Sequence, residues 1–274
     1  MRLNRRQRSP RDERRAIFEH AASWTHHVTA EIDGAIYVIS TSDTGVGRDV
    51  FVAGRRPEFI VLQRAMQVIG APRDGATLVD VGANIGTTTI PALMRFGFAD
   101  AVAIEPGEES VRLLTAACAL NGLTSRVHVV WAAASDHDGT VPLNTGTSSA
   151  GTFEVAAGEG ATEVRSVTLD SVADPARVGL LWVDAQGHEG HVVGGATRVL
   201  AARPPAVLSL RPEKLRRSGG LERYVETLCG TYAQVADLRA PGLREDWRAL
   251  LEPVEALQRY VAENRKTDLL FLPG

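Results

Sequence analysis

The chain has 274 residues, 44% hydrophobic and 23% charged, with a net charge of −3 at pH 7. It is long enough to bury a substantial core as one large domain with additions, and its slightly acidic balance excludes a general nucleic-acid binder. The widely separated Cys118 and Cys229 predict free buried thiols; with no apolar run of membrane-spanning length and no signal-peptide core, they predict a cytoplasmic protein.

Residues 1–15 are Arg-rich and almost without apolar side chains, which predicts a solvated, frayed tail. An RNA- or membrane-surface arm is the alternative. Ala16 to Trp24 suits a short helix burying Ile17 and Phe18, completing a unit over 1–25. Between Val28 and Ile39, two β-prone runs flank Asp33-Gly34, which predicts a hairpin with a type I′ turn. Gly45, Gly47 and Gly54 mark loops. Phe59, Leu62, Met66 and Ile69 recur at helical spacing until Gly70 and Pro72, closing a second unit over 26–72. Arg48, in the preceding loop, and Glu58, just ahead of the helix, read as surface charges, with the mouth of a substrate site as the alternative.

From residue 73 to 274 strands and helices alternate, which implies a doubly wound, mostly parallel α/β sheet with right-handed crossovers. Thr77 to Val81 is an apolar strand that runs through Gly82 and Gly86 into a helix carrying Ile90, Leu93 and Met94. Ala101 to Ile104 is a second strand, ending in Glu105-Pro106. A helix over Ser110 to Leu120 follows, and then the third strand, Val127 to Trp131. Gly139 to Gly160 reads as a loop or hairpin above the sheet, with strand-like pieces at Val141–Leu143 and Thr152–Val155. Val164 to Leu169 is an added strand and Val178 to Val183 the fourth core strand. A helix from His188 to Leu200 leads to strand Ala206 to Leu210. Leu221 to Leu228 suits a helix and Thr231 to Leu238 a strand. Trp247 to Val261 carries an apolar stripe broken at Pro253, suiting a helix pair in the core, over the site or at a homo-oligomer contact. Leu269 to Leu272 is the last strand, antiparallel at or near the sheet edge.

The chemistry concentrates where strands end. In an open α/β sheet the ligand lies at the carboxyl ends of the strands, where Asp80, Glu105, Ala133 and Asp184 converge. Gly82-x-x-x-Gly86 matches neither the dinucleotide fingerprint nor the phosphate loop. Glu105 can accept both hydroxyls of a ribose and would repel a 2′-phosphate. A nucleoside without pyrophosphate is therefore the natural ligand, and S-adenosylmethionine (SAM) fits, with Asp80 near its ammonium group. Asp184 is the first candidate base, with capping of the next helix as the alternative. His188 is the second, on the strength of its ordinary pKa, with a solvent-facing histidine as the alternative. Glu189 suits the helix N-terminus. His188 and His191 are three apart where the zinc pattern needs four, so no metal is expected.

Asp80-Val81-Gly82-Ala83-Asn84-Ile85-Gly86 with Glu105-Pro106 resembles the FkbM family of SAM-dependent methyltransferases. Ala133-Ala134-Ser135-Asp136 with Gly139, Val167-Thr168-Leu169-Asp170, Val183-Asp184-Ala185-Gln186-Gly187-His188-Glu189, Gly195-Ala196 and Leu269-Leu270-Phe271 follow in order. The resemblance implies a Rossmann-like class I methyltransferase with an N-terminal hairpin and helix extension. It implies SAM held by Asp80, Gly82, Ala83, Asn84, Gly86, Glu105, Pro106, Ala133 and Ser135, with Ala132 to Ala134 leaving a slot for adenine. The implied reaction is O-methylation of a small-molecule hydroxyl, on a sugar or a secondary metabolite. Trp182 and Gln186 depart from the family's Lys and Glu, and no Glu stands in Val207–Leu210. A SAM-binding scaffold that has lost transfer is therefore a rival reading. A nucleic-acid methyltransferase is another, disfavoured by the missing Asn/Asp-Pro-Pro-aromatic tract.

Overall fold

The computed structural model describes residues 9–55, 57–144, 154–155, 161–241 and 246–274. Its N-terminal part is helix α1 (Pro10–Ala21), hairpin β1 (His27–Ile32) and β2 (Ala35–Ser40), and helices α2 (Val46–Ala53) and α3 (Pro57–Ile69). The sheet begins with β3 (Thr77–Val81), α4 (Thr89–Arg95), β4 (Asp100–Glu105), α5 (Glu108–Leu120) and β5 (Val127–Trp131). Next come β6 (Ala133–Ala134), β7 (Gly139–Asn144), β8 (Glu154–Val155), β9 (Ala161–Val167) and α6 (Leu169–Val172). The chain then runs through β10 (Val178–Val183), α7 (Glu189–Gly194), α8 (Thr197–Ala201), β11 (Ala206–Leu210) and α9 (Pro212–Arg217). It ends with α10 (Leu221–Thr231), β12 (Gln234–Asp237), α11 (Pro253–Ala262) and β13 (Thr267–Leu272).

Seven strands form the central sheet in the order β12-β13-β11-β10-β3-β4-β5. The strand order reverses beside β3, the topological switch point at which such sheets open a crevice. β13 runs antiparallel to both neighbours, one place in from the edge, and the other neighbour pairs are parallel. Every residue of β3 is buried, as the apolar run predicts for a strand covered on both faces. Alternate residues serve opposite layers. Leu78 packs with α3, α5 and the N-terminal hairpin, while Val79 and Val81 pack with α7, α8, α10 and α11.

The N-terminal extension is tied into that core. Asp33 and Gly34 form the tight turn (φ 52° and 75°) with Ile32 paired to Ala35. The Asn121 side chain, at the end of α5, accepts from the Ile36 N–H (2.9 Å) and donates to the Ile36 carbonyl (2.7 Å). Its amide also donates to the Ala117 carbonyl (2.7 Å).

Several local expectations change. α1 begins at Pro10, because Ser9 caps it and Pro suits the first helical position; the tail is therefore helical from Pro10, and residues 1–8 lie outside the described residues. Phe18 is buried, but Ile17 is 57% exposed. Gly47 and Arg48 lie within α2 rather than in a loop. The helix expected from His188 to Leu200 is two, broken at Gly195-Ala196, where a side chain on Gly195 would meet the Ser135 carbonyl at 2.0 Å. The stripe after Trp247 supplies the single helix α11, while Leu251 forms a bridge to Val235. The added strand is β9, which joins β6, β7 and β8 in a separate four-stranded sheet. The strand expected at Thr152–Val155 lies partly outside the described residues, and β8 covers its end. Among the described residues both cysteines are free, and no helix is long and apolar enough to cross a membrane.

Asn121→Ala removes three hydrogen bonds at once and strands two backbone groups of β2. It should lower unfolding free energy by about 1–3 kcal/mol, measured from the urea midpoint at unchanged m-value.

Candidate functional site

At the carboxyl ends of β3, β4 and β10 the structure opens a cavity of about 830 Å³, including the space at its mouth. Gly82, Asn84, Thr87 and Thr88 form its floor along the turn from β3 into α4. Glu105 and Pro106 line it from β4, Ala133 and Ala134 from β6, and Trp182, Asp184, Gln186 and His188 from β10 and the turn after it. Val46 of α2, Glu58 of α3 and Leu143 of β7 close the remaining sides.

Two buried carboxylates hold the turns around the cavity. The Asn84 N–H donates to Glu105 Oε2 (2.9 Å) and the Gly107 N–H to Oε1 (2.8 Å). One acid thus joins the turn after β3 to the turn after β4, and each oxygen keeps a second acceptor site. Burial pushes the Glu105 carboxyl up to about 7, against the pull of those two N–H groups. Glu189 repeats the device in the next turn: it accepts from the Ala185 N–H (3.0 Å) and the Gly187 N–H (2.9 Å). Burial, then the nearby Asp184 charge, raises it to about 7.

Because Glu189 holds those N–H groups, Asp184 has a different set of partners from the helix cap weighed above. Its carboxylate receives the Gln186 amide (3.0 Å) and lies 3.7 Å from the Arg211 guanidinium. Gln186, in the left-handed region at φ 53°, also accepts from Lys214 Nζ (3.1 Å). A residue that departs from the family's usual acid therefore links Asp184 to a lysine. Trp182, the other departure, forms part of the wall.

His188 is buried against the cavity, not solvent-facing. Its Nε2 pairs with Ser135 Oγ (3.0 Å), its ring stacks on His191 with centroids 4.4 Å apart, and Nδ1 is buried without a partner. Burial, then the neighbouring His191, lowers its pKa to about 4. The ring is neutral at pH 7, which removes the proton-shuttle rationale based on its ordinary value. Behind it stands Asp136. Burial pushes that carboxyl up, but hydrogen bonds from His137, Arg223 and His191 outweigh the effect and hold it well below the usual range.

Of the sequence-predicted residues, Gly82, Asn84, Glu105, Pro106, Ala133, Asp184 and His188 line the cavity, and Asp80, Ala83, Gly86 and Ser135 do not. Asp80 shares the parity of Leu78, so its side chain is buried where the Thr89 hydroxyl donates to Oδ2 (2.5 Å). Burial raises it to about 7. Gly86 is needed for packing: a Cβ there would meet Leu114 at 2.7 Å. At Gly82, with φ 80°, a Cβ would lie 2.2 Å from the Asp184 carbonyl, so that glycine lets the turn after β10 close over the turn after β3. Ser135 acts through His188.

Glu58 is not the surface charge expected of it. Its Oε2 is buried without a partner, and burial raises its pKa. The usable signal was an acid opening the helix that leads into β3. Thr87 and Thr88, hydroxyls directly after the last glycine of the turn, were equally visible. Among the described residues no group of three or more His, Cys, Asp or Glu is placed to hold a metal.

The family model described as "Methyltransferase FkbM domain" matches residues 80–222, more than half of the chain. The chain is similar in structure to the methyltransferase FkbM of Methylobacillus flagellatus KT, at 15% identity and a TM-score of 0.46. That match covers 93% of this chain and 58% of the other, so this chain spans less than two thirds of that protein's length. A protein of Pyrococcus horikoshii matches at 11% identity and a TM-score of 0.48, covering 96% of this chain and 85% of the other. Geranyl diphosphate C-methyltransferase of Streptomyces coelicolor A3(2) matches at 11% identity and a TM-score of 0.46, covering 97% of each chain. None of the curated proteins searched matches.

Asp80, Glu105 and Glu189 each stand at about 7 when folded, well above their ordinary values. A raised carboxyl contributes stability below its unfolded pKa and loses it as pH rises through the folded one. His188, lowered to about 4, works the other way below its ordinary value, but is one group against three. The thermal midpoint of the ligand-free protein should therefore fall between pH 5 and 7.5, as followed by circular dichroism, and a rise would contradict the burial of these acids.

Proposed function

The chain belongs to the FkbM methyltransferase family, and we propose that it uses SAM to methylate a hydroxyl of a small molecule such as a sugar or secondary metabolite. The observation that carries the reading is Glu105, a cavity-lining carboxylate held by two backbone N–H groups with acceptor sites to spare. Such a group suits two ribose hydroxyls. Other residues fit the same ligand. Ala133 and Ala134 leave room for a flat ring, while Glu58, Glu105 and Asp184 give the cavity an anionic lining suited to a cationic cofactor.

SAM, when bound, supplies an electrophilic methyl group on a sulfonium centre. The chain's own part is to hold the acceptor and take its proton. Asp184 is assigned as the base: it faces the cavity, and Gln186 and Arg211 orient its carboxylate. The acceptor's hydroxyl proton would pass to Asp184 as its oxygen takes the methyl that bound SAM would supply. His188, neutral and with an unpartnered Nδ1, is assigned to hydrogen-bond the acceptor. Positioning supplies much of the acceleration.

One observation favours the binding-only rival. In the strand Val207–Leu210, where the family often has a Glu, none is present, and Ser209 is buried with its hydroxyl unpaired. Intact binding of S-adenosylhomocysteine without methyl transfer to any metabolite pool would establish that reading.

Glu105→Ala should weaken S-adenosylhomocysteine at least tenfold by calorimetry, while freeing the Asn84 and Gly107 N–H groups costs about 1–3 kcal/mol of stability. Unchanged affinity would contradict the ribose assignment. Asp184→Asn should leave that affinity within a few-fold and cut transfer of labelled methyl by roughly 10²–10⁴; full activity would remove Asp184 from the mechanism.

A further inference from the structure

One acid of the cavity belongs neither to the glycine turn nor to the matched family segment. Glu58 sits in the first turn of α3, outside residues 80–222, and its side chain reaches the cavity wall. Thr87 hydrogen-bonds its carboxyl against the turn after β3, yet Oε2 is buried with no partner. An acid opening a helix also interacts favourably with the helix dipole, but that role can be filled from solvent and does not account for an unpaired oxygen beneath the surface. Buried polar atoms are nearly always satisfied, so an unpaired one beside a cavity points to a ligand group.

The surrounding charges restrict what that group is. Asp184 bears on Glu58 and opposes its ionisation, and Asp80 lies near enough for Glu58 to oppose its own. Asp80 is committed to Thr89, and Asp184 takes Gln186 and Arg211 on Oδ1 and is assigned to the acceptor's proton. Of the three, Glu58 carries the oxygen that is buried without a partner. A carboxylate or phosphate placed there would be repelled, whereas a positively charged proton donor satisfies both the lone pair and the field.

We propose that Glu58 receives the α-ammonium of the cofactor's methionine portion, an inference that rests on the SAM reading above. Among SAM's groups the ribose hydroxyls belong to Glu105, the sulfonium has no proton to donate, and the carboxylate carries the wrong sign. The ammonium alone combines charge with N–H donors. Glu58 thereby takes the role first expected of Asp80, whose carboxylate accepts from Thr89 and does not line the cavity.

The test is calorimetric titration of the full chain, as wild type, Glu58→Gln and Glu58→Ala, with two probes. S-adenosylhomocysteine carries the ammonium, and 5′-methylthioadenosine lacks the whole amino-acid portion. Both variants should bind S-adenosylhomocysteine roughly ten- to a hundredfold more weakly, with 5′-methylthioadenosine unchanged within twofold. Unchanged S-adenosylhomocysteine affinity in Glu58→Gln would overturn the assignment and leave the seat to an amine on the acceptor. Parallel loss of both probes would overturn it too, marking Glu58 as a support of α3. Failure of the wild type to bind either probe would instead remove the cofactor reading itself.

Discussion

The site depends on a carboxylate used as a backbone clamp. Glu105 takes one N–H from the turn after β3 and one from the turn after β4, so two loops that would otherwise move separately share one anchor. Glu189 does the same for the turn after β10. Turns of this kind expose N–H groups that water would satisfy at a surface; under a cavity roof they need an internal acceptor. A carboxylate is the strongest one available, and its desolvation is visible in the upward shift of both acids to about 7. The clamp leaves acceptor capacity on the cavity side, so the group that fixes the loops is also the group offered to a ligand.

The charge layout follows from the same crowding. Asp184 opposes the ionisation of Glu58, and both oppose that of Asp80. The nearby cations are engaged elsewhere: Arg239 pairs with Asp268, and Lys214 reaches Gln186. Arg211 lies 3.7 Å from Asp184 of the lining, and Arg239 acts on Glu58 from farther off. An enclosed acidic space of this kind is costly without a ligand and is relieved by a cation, which is the electrostatic character of a sulfonium carrying an ammonium.

Strands and their order were legible in the sequence because they rest on local patterns. The run Thr77 to Val81, the glycines after it and the acid ending β4 are all written within a few residues of each other, and the alternation of strand and helix leaves few topologies. The directions of individual side chains were harder. Asp80 looked like a ligand contact because it stands at a strand end, yet it shares the parity of Leu78 and turns toward Thr89. Gly86 looked like room for a ligand but is room for Leu114. The break at Gly195 was hidden because its cause, the Ser135 carbonyl, lies sixty residues upstream in the chain. Reasoning from spacing captures what neighbours in sequence do, and these three effects come from neighbours in space.

The same distinction separates the two sides of the cavity. The side proposed to hold the cofactor is built from the turn after β3 and the end of β4, which the sheet fixes and the matched family segment contains. Val46 and Glu58 come from helices that precede the sheet, and Leu143 from the small sheet inserted after β5. These elements can change length and composition without disturbing the strand order, because they cover the crevice without forming it. Trp182 adds a bulky wall at a position where the family has a lysine. A large aromatic there removes a charge and fills volume next to Asp184, so this chain's acceptor meets a more apolar surface than a lysine would offer. Under the proposed reading, selectivity for the acceptor falls to the additions to the fold, while the sheet supplies the fixed frame for the methyl donor.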